Sequence, residues 1–160
     1  MCSEAISRLP LESGGVLLGW RTGEDRVVIS VLGPGPQALH GLYRFIPDHT
    51  WQISEICRIF HKSTGDIDYL GDWHSHPNGN SVMSGEDHST LKRISKRVPE
   101  SLMLIIGNNT HSEHWSVNCW KGCFNPGFIF RSYNSVEQTV KIFELPTPWE
   151  SFSGIVNSET

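Results

Sequence analysis

The amino-acid sequence predicts an α/β fold, a single mixed β-sheet flanked by helices. Short apolar runs rich in β-branched residues recur along the chain, bounded by glycines and turn residues. Two amphipathic segments with helix-start signals interrupt them, so strands and helices must pack in layers around one core.

GGVLLGW (Gly14 to Trp20) and RVVISVL (Arg26 to Leu32) read as two strands of a hairpin, with RTGED as the turn. LGPGPQALHG (Leu32 to Gly41) carries too much Gly and Pro for a helix or strand interior and reads as a loop. Asp48 is positioned to cap a helix over Thr50 to Lys62, in which Ile53, Ile56 and Phe60 form the expected apolar face. DYLGDWHSH (Asp68 to His76) reads as a strand ending at Pro77. SGEDHSTLKRISKRV begins with a capping serine, places acids in its first turn and bases in its last, and aligns Leu91, Ile94 and Val98 on one face. SLMLIIG, HWSVNCW and FIFRSY follow as strands, whereas SVEQTVKIFEL fits either a helix or a strand.

The 160 residues suit one domain, 1–160, large enough to bury a core without crosslinks. Thirteen Lys and Arg against seventeen Asp and Glu give a formal charge of −4, with no long run of either sign, which argues against a nucleic-acid footprint. No apolar run approaches the roughly 20 residues of a membrane span, and MCSEAISRLPLESGG lacks the layout of a signal peptide, so the expected location is the cytoplasm, with no membrane partner. Cys2, Cys57, Cys119 and Cys123 are too sparse for a disulfide framework. His111 and His114 with Cys119 and Cys123 can be written as a second metal motif, but the short gap between the pairs departs from common spacing, and HWSVNCW alternates as a strand does.

The stretch GDWHSHPNGNSVMSGED (Gly71 to Asp87) carries the chemistry. Residues i and i+2 of a strand share a face, about 6.8 Å apart along the backbone, so His74 and His76 can converge on one ion. Asp72 shares that face but lies about 13 Å from His76 along an extended chain. Asp87 is the better third ligand, since the PNGNSVM turn can return Ser84 and Asp87 to the strand end in the first turn of the next helix. His88 lies about 100° round that helix and should miss the site. His40, His49 and His61 have no partner at ligand spacing and read as surface or packing histidines. Trp73 points to the opposite face, into the core. Ser84 with Asp87 also spells a plain capping box, S-x-x-D, which requires no function.

HSHP, the seven residues Pro77 to Met83, and SGED together resemble the H-[ST]-H-x7-S-x-x-D motif of the JAMM (MPN+) metallopeptidases, the JAB-domain family, and Glu12 in ESGGVLLG matches the family's upstream glutamate. GPGPQALH, FIPD and YLGDWHSHP extend the likeness, over Glu12 to about Gly107, to small bacterial deconjugating peptidases of antiphage operons such as CBASS. The resemblance implies a JAB/MPN fold with a cytidine-deaminase-like layout. It implies one catalytic Zn2+ held by His74, His76 and Asp87, with water in the fourth place, Glu12 as general base and Ser84 as oxyanion donor; losing one such donor typically costs about 10² to 10³ in rate. Asp72 is then at most an outer residue that orients a ligand histidine.

The implied activity is zinc-dependent peptidase or isopeptidase cleavage after the C-terminal tail of a ubiquitin-like protein, either removing it from a target or processing its precursor in a bacterial antiphage conjugation pathway. The loop Gly33 to Phe45 is the expected wall for that tail. A non-catalytic scaffold of the same fold is the main alternative, although such scaffolds typically lack a ligand or the glutamate. A peptidase acting on a sulfur-carrier protein or a small peptide is another. A nucleobase deaminase would need H-x-E and P-C-x-x-C, and neither occurs.

Overall fold

The computed structural model of the chain describes residues 1–108, 114–125 and 132–143. A short helix, α1 (Cys2–Arg8), precedes the expected hairpin of β1 (Gly14–Thr22) and β2 (Asp25–Leu32), which pair antiparallel. Leu39–His40 (β3) and Phe45–Ile46 (β4) form a separate two-stranded ribbon. The segment read as loop therefore ends in a strand, too short for any periodicity to announce. There follow α2 (His49–Lys62), β5 (Asp68–His76), α3 (Gly85–Ser95), β6 (Leu102–Gly107), β7 (Ser116–Asn125) and β8 (Ser132–Gln138).

The main sheet has the order β2-β1-β5-β6-β7-β8. Its one parallel pair is β5 with β6; the other adjacent strands run antiparallel. That parallel step needs a crossover, and α3 supplies it. The sheet is a mixed one with helices on both faces, as the sequence predicts. On one face Ala5 of α1 packs with Leu17, Trp73, Leu104 and Cys119. On the other, Ile59 of α2 meets Val16 and Leu18, and Leu91 of α3 meets Met103 and Ile105. All six residues of β6 are buried, which explains why LMLIIG shows no alternation.

The inner face of α2 differs from the expected one. Ile53 is 61% exposed and Phe60 39%, while Gln52 and Ile59 are buried and Ile56 packs partly behind them. The true stripe runs through Gln52, Ile56, Ile59 and Ser63, and two polar residues disguise it. Both are satisfied: the Gln52 amide donates to the Gly33 carbonyl at 3.0 Å, and the Ser63 hydroxyl donates to Phe60 O and accepts from Ile67 N. Asp48 caps this helix as expected, accepting from Trp51 N at 3.1 Å. α3 stops at Ser95 rather than running to Val98, whose amide still donates to Ile94 O.

FIFRSY falls partly outside the described residues; β8 begins at Ser132, and of the ambiguous SVEQTVKIFEL segment 135–138 is strand and 139–143 has no regular structure. His111 of the second metal motif also lies outside them. Cys119 sits in the core, where burial pushes its thiol up to about 12. Alkylation with iodoacetamide at pH 8 is therefore expected to modify the exposed Cys2 and Cys57 and to spare Cys119 until denaturant is added, as read by intact mass and peptide mapping. Among the described residues no helix is long and apolar enough to cross a membrane.

Candidate metal centre

β5 ends at His76 beside Gly107, the last residue of β6, so the site lies at the carboxyl ends of the parallel pair. The chain then reverses, Gly79 N donating to His76 O, and residues 77–83 fold over the strand ends. A side chain at Gly107 would overlap the Asn80–Ser81 backbone, so this glycine lets the loop lie flat on the sheet. Ser81 fastens it by donating to Asn118 Oδ1 at 2.9 Å.

The loop delivers α3 with Ser84 at its N-cap. Asp87 N donates to Ser84 Oγ, and the Asp87 carboxylate accepts from Ser84 N at 2.7 Å, so the capping box exists. It also fixes the Asp87 rotamer and turns its carboxylate towards β5. His74 Nε2 lies 3.0 Å from His76 Nε2 and 3.1 Å from Asp87 Oδ1; His76 Nε2 lies 3.5 Å from Asp87 Oδ2. These three residues form the one group of three possible metal ligands among the described residues.

The triangle fits a cation. An ion with four bonds of about 2.0–2.1 Å arranged tetrahedrally has donor–donor edges of about 3.3–3.4 Å, close to the three separations here. His76 Nδ1 donates to the Asn80 carbonyl at 2.9 Å, which leaves its Nε2 as the donor atom facing inwards. Two imidazole nitrogens and a carboxylate crowded together need either protons or a metal between them. Without metal, protons serve. The Asp87 hydrogen bond raises His76, against burial and aided by the bond to Asn80. Burial would raise Asp87, but bonds from His74, His76 and Ser84 outweigh it and hold the carboxyl well below its usual range.

Glu12 precedes β1, whose first residue, Gly14, pairs with His74. Its carboxyl is half-buried and raised by desolvation, with His74 and His76 pulling it down and Asp87 and Glu86 pushing it up; all but Glu86 belong to the expected site. The Ser84 hydroxyl donates to Asp87 Oδ2 at 2.7 Å. All five expected positions therefore gather in one place. Asp72 does not join them: it accepts from Tyr69 OH at 2.6 Å. His88 faces β8, 3.4 Å from Ser135 Oγ, and Trp73 is buried with its indole donating to Leu32 O.

Residues with no role expected from the sequence hold Glu12 in place. Ser75, fully buried between the two histidines, accepts from Ser13 N at 2.9 Å and donates to Ser13 O at 3.2 Å, while its own amide donates to Ser13 O at 2.8 Å. His40 Nδ1 donates to the Glu12 carbonyl at 2.8 Å. The signal for Ser75 lies in its place between the histidines; a lone histidine in a loop carries none.

Comparison with known proteins agrees with this geometry. Residues 1–120 match the family model described as prokaryotic homologs of the JAB domain. A Sinorhizobium fredii protein named "Probable metalloprotease y4qB" is 34% identical over 129 residues, 76% of this chain and 77% of the relative. Two proteins named CD-NTase/cGAS isopeptidase are 31% identical in Vibrio cholerae, covering 64% of this chain and 65% of the relative, and 38% in Escherichia coli, covering 60% and 62%. The chain thus spans slightly under two thirds of those isopeptidases. A solution structure from Desulfitobacterium hafniense shares the fold, with a TM-score of 0.66 at 23% identity over 91% of this chain and 88% of that one. With its sheet, its His-His-Asp group and a family match over three quarters of its length, the chain belongs to the prokaryotic homologs of the JAB domain and is a metallopeptidase.

Proposed function

We propose that the protein is a zinc-dependent isopeptidase or peptidase that cuts after the C-terminal tail of a ubiquitin-like protein. The observation that carries this reading is the closure of His74, His76 and Asp87 into a triangle of tetrahedral size beside the half-buried Glu12. Two nitrogens and one carboxylate oxygen form a ligand set suited to zinc, with a fourth position open. A bound zinc ion supplies Lewis acidity, bringing the pKa of water towards about 7.

The chain's own groups do the rest. The Glu12 carboxylate accepts a proton from the attacking water and passes it to the departing amine nitrogen, so the products are a carboxylate and a free amine. Ser84 donates to the carbonyl oxygen as that atom gains negative charge. Its hydroxyl has a single proton, given to Asp87 in the resting arrangement, and must turn to do this.

Support for an extended protein tail comes from the surfaces beside Glu12. The Glu12 amide donates to Gly41 O, which places the β3–β4 ribbon against the base, and Leu39, Leu42 and Tyr43 of that ribbon are 64%, 49% and 85% exposed. Val82, on the loop that leads into α3, is also exposed. The relatives named CD-NTase/cGAS isopeptidases support a protein conjugate as substrate; the setting proposed for it is bacterial antiphage conjugation, with the whole chain acting as one domain in the cytoplasm.

The test is cleavage of ubiquitin-like proteins fused through their tails to a second folded protein, read by intact mass with and without a zinc chelator. A cut after the last residue of the modifier, stopped by chelator and restored by zinc, is expected. A zinc-loaded, folded sample that cuts sulfur-carrier fusions or short peptides, but no ubiquitin-like fusion in a broad panel, would replace the substrate class. One that cuts nothing would favour a scaffold.

A further inference from the structure

A general base works only if its carboxylate stays within hydrogen-bond reach of the water it deprotonates, and Glu12 lies just before β1 rather than inside it. Its backbone is nonetheless held at both ends. The Glu12 amide donates to Gly41 O at 2.8 Å, and the Glu12 carbonyl accepts from His40 Nδ1 at 2.8 Å, so adjacent residues of the β3–β4 ribbon grip one residue from both polar groups. The ribbon is itself held. Gly41 N donates to Arg44 O, the His40 ring lies 5.5 Å from the Phe45 ring, and a Cβ on Gly14 would come within 2.9 Å of Phe45 Cε1, which shows how closely that ring covers the start of β1.

We propose that His40 is a positioning residue for the reaction: its Nδ1–H sets the peptide plane of Glu12 and through it the direction of the Glu12 side chain. This rests on the reading of Glu12 as the base. Nδ1–H donates to the carbonyl in both the neutral and the charged ring, so His40 acts by geometry and not by exchanging protons. Of the eight histidines in the chain, His74 and His76 face the candidate ion and His40 holds the base.

The test compares His40→Ala and His40→Asn with wild type in their zinc-loaded forms. The asparagine amide can donate from close to where Nδ1 stands, yet it cannot titrate. His40→Ala is expected to lower kcat about 10- to 100-fold, the usual cost of displacing a reacting group by about an ångström, with KM changed far less and zinc content unaltered. His40→Asn should recover most of that loss and leave the pH profile of kcat unchanged. In metal-free samples, exchange of the Glu12 amide hydrogen should quicken at least about tenfold in His40→Ala and return towards wild type in His40→Asn.

Glu12→Gln is run in the same assay. If that variant retains turnover, the base assignment fails and takes this proposal with it. If Glu12→Gln is inactive but His40→Ala matches wild type, the base assignment stands and the role of His40 is refuted. It is likewise refuted if His40→Asn is as impaired as His40→Ala, if the pH profile of His40→Asn loses a limb, or if His40→Ala loses its zinc.

Discussion

Glu12→Gln is expected to lower turnover by about 10²- to 10⁴-fold while leaving the fold and the zinc content unchanged, the range usual for removing a positioned acid–base group. Glutamine keeps the size and polarity of the side chain, and the backbone bonds to Gly41 and His40 do not involve the carboxylate. What disappears is the ability to accept a proton. The pH dependence gives a second check. Burial raises the Glu12 carboxyl above 4.5, His74 and His76 counter that rise, and a bound cation would counter it further. Only the ionised form can act as base, so the rate should fall as pH drops through the pKa of this group, and that acid limb should vanish from the residual activity of Glu12→Gln. A variant within a few-fold of wild type across the pH range would remove Glu12 from the mechanism.

Asp87→Ala should weaken zinc binding about a hundredfold or more, because it deletes a ligand rather than an outer partner, for which losses of about 10- to 100-fold are typical. It also opens half of the capping box, since Ser84 N loses its acceptor while Ser84 Oγ still accepts from the amide of residue 87. Asp72→Ala is the control. It leaves the Tyr69 hydroxyl without its carboxylate partner and so destabilises the fold, but it should keep the zinc. Titration with a chromogenic chelator separates the two; loss of metal in the Asp72 variant alone would mean that the ligands are misassigned.

The metal-free protein adds a readout whose sign is fixed. His76 is raised above 6.5 by Asp87, so the stability it contributes is present below about pH 6.5 and lost as pH rises through the raised value. Asp87 is depressed, so its contribution is present above about pH 4 and lost on acidification. Metal-free protein should therefore be most stable between those limits, and Asp87→Ala should flatten the decline on the alkaline side. Zinc needs deprotonated ligands and should reverse that decline.

The strands and the grouping of His74, His76 and Asp87 could be read from the sequence because each depends on short-range spacing. GGVLLGW and LMLIIG are apolar enough to be strands in any context, and H-x-H on a strand places two imidazoles on one face whatever surrounds them. Asp87 was accessible through the PNGNSVM turn, which returns the first turn of the next helix to the strand end; the S-x-x-D cap, which by itself requires no function, holds its carboxylate there. The buried face of α2 was not accessible: Gln52 and Ser63 occupy core positions because backbone groups outside the helix, Gly33 O and Ile67 N, satisfy them. The supports of Glu12 escaped because their partners lie far along the chain: the place of Ser75 between the histidines marks it as part of the site, but nothing local to it or to His40 points to residues 12 and 13.

The three bonds between Ser13 and Ser75 span 62 positions of chain, whereas His74 and Asp87 stand only thirteen apart. Closing the short loop costs less chain entropy than closing the long one. The ion-binding half of the site is drawn from a single strand–loop–helix segment, while the proton-handling half needs the amino-terminal strand docked beside it. Zinc content alone therefore says nothing about the seating of Glu12, which depends on contacts far along the chain.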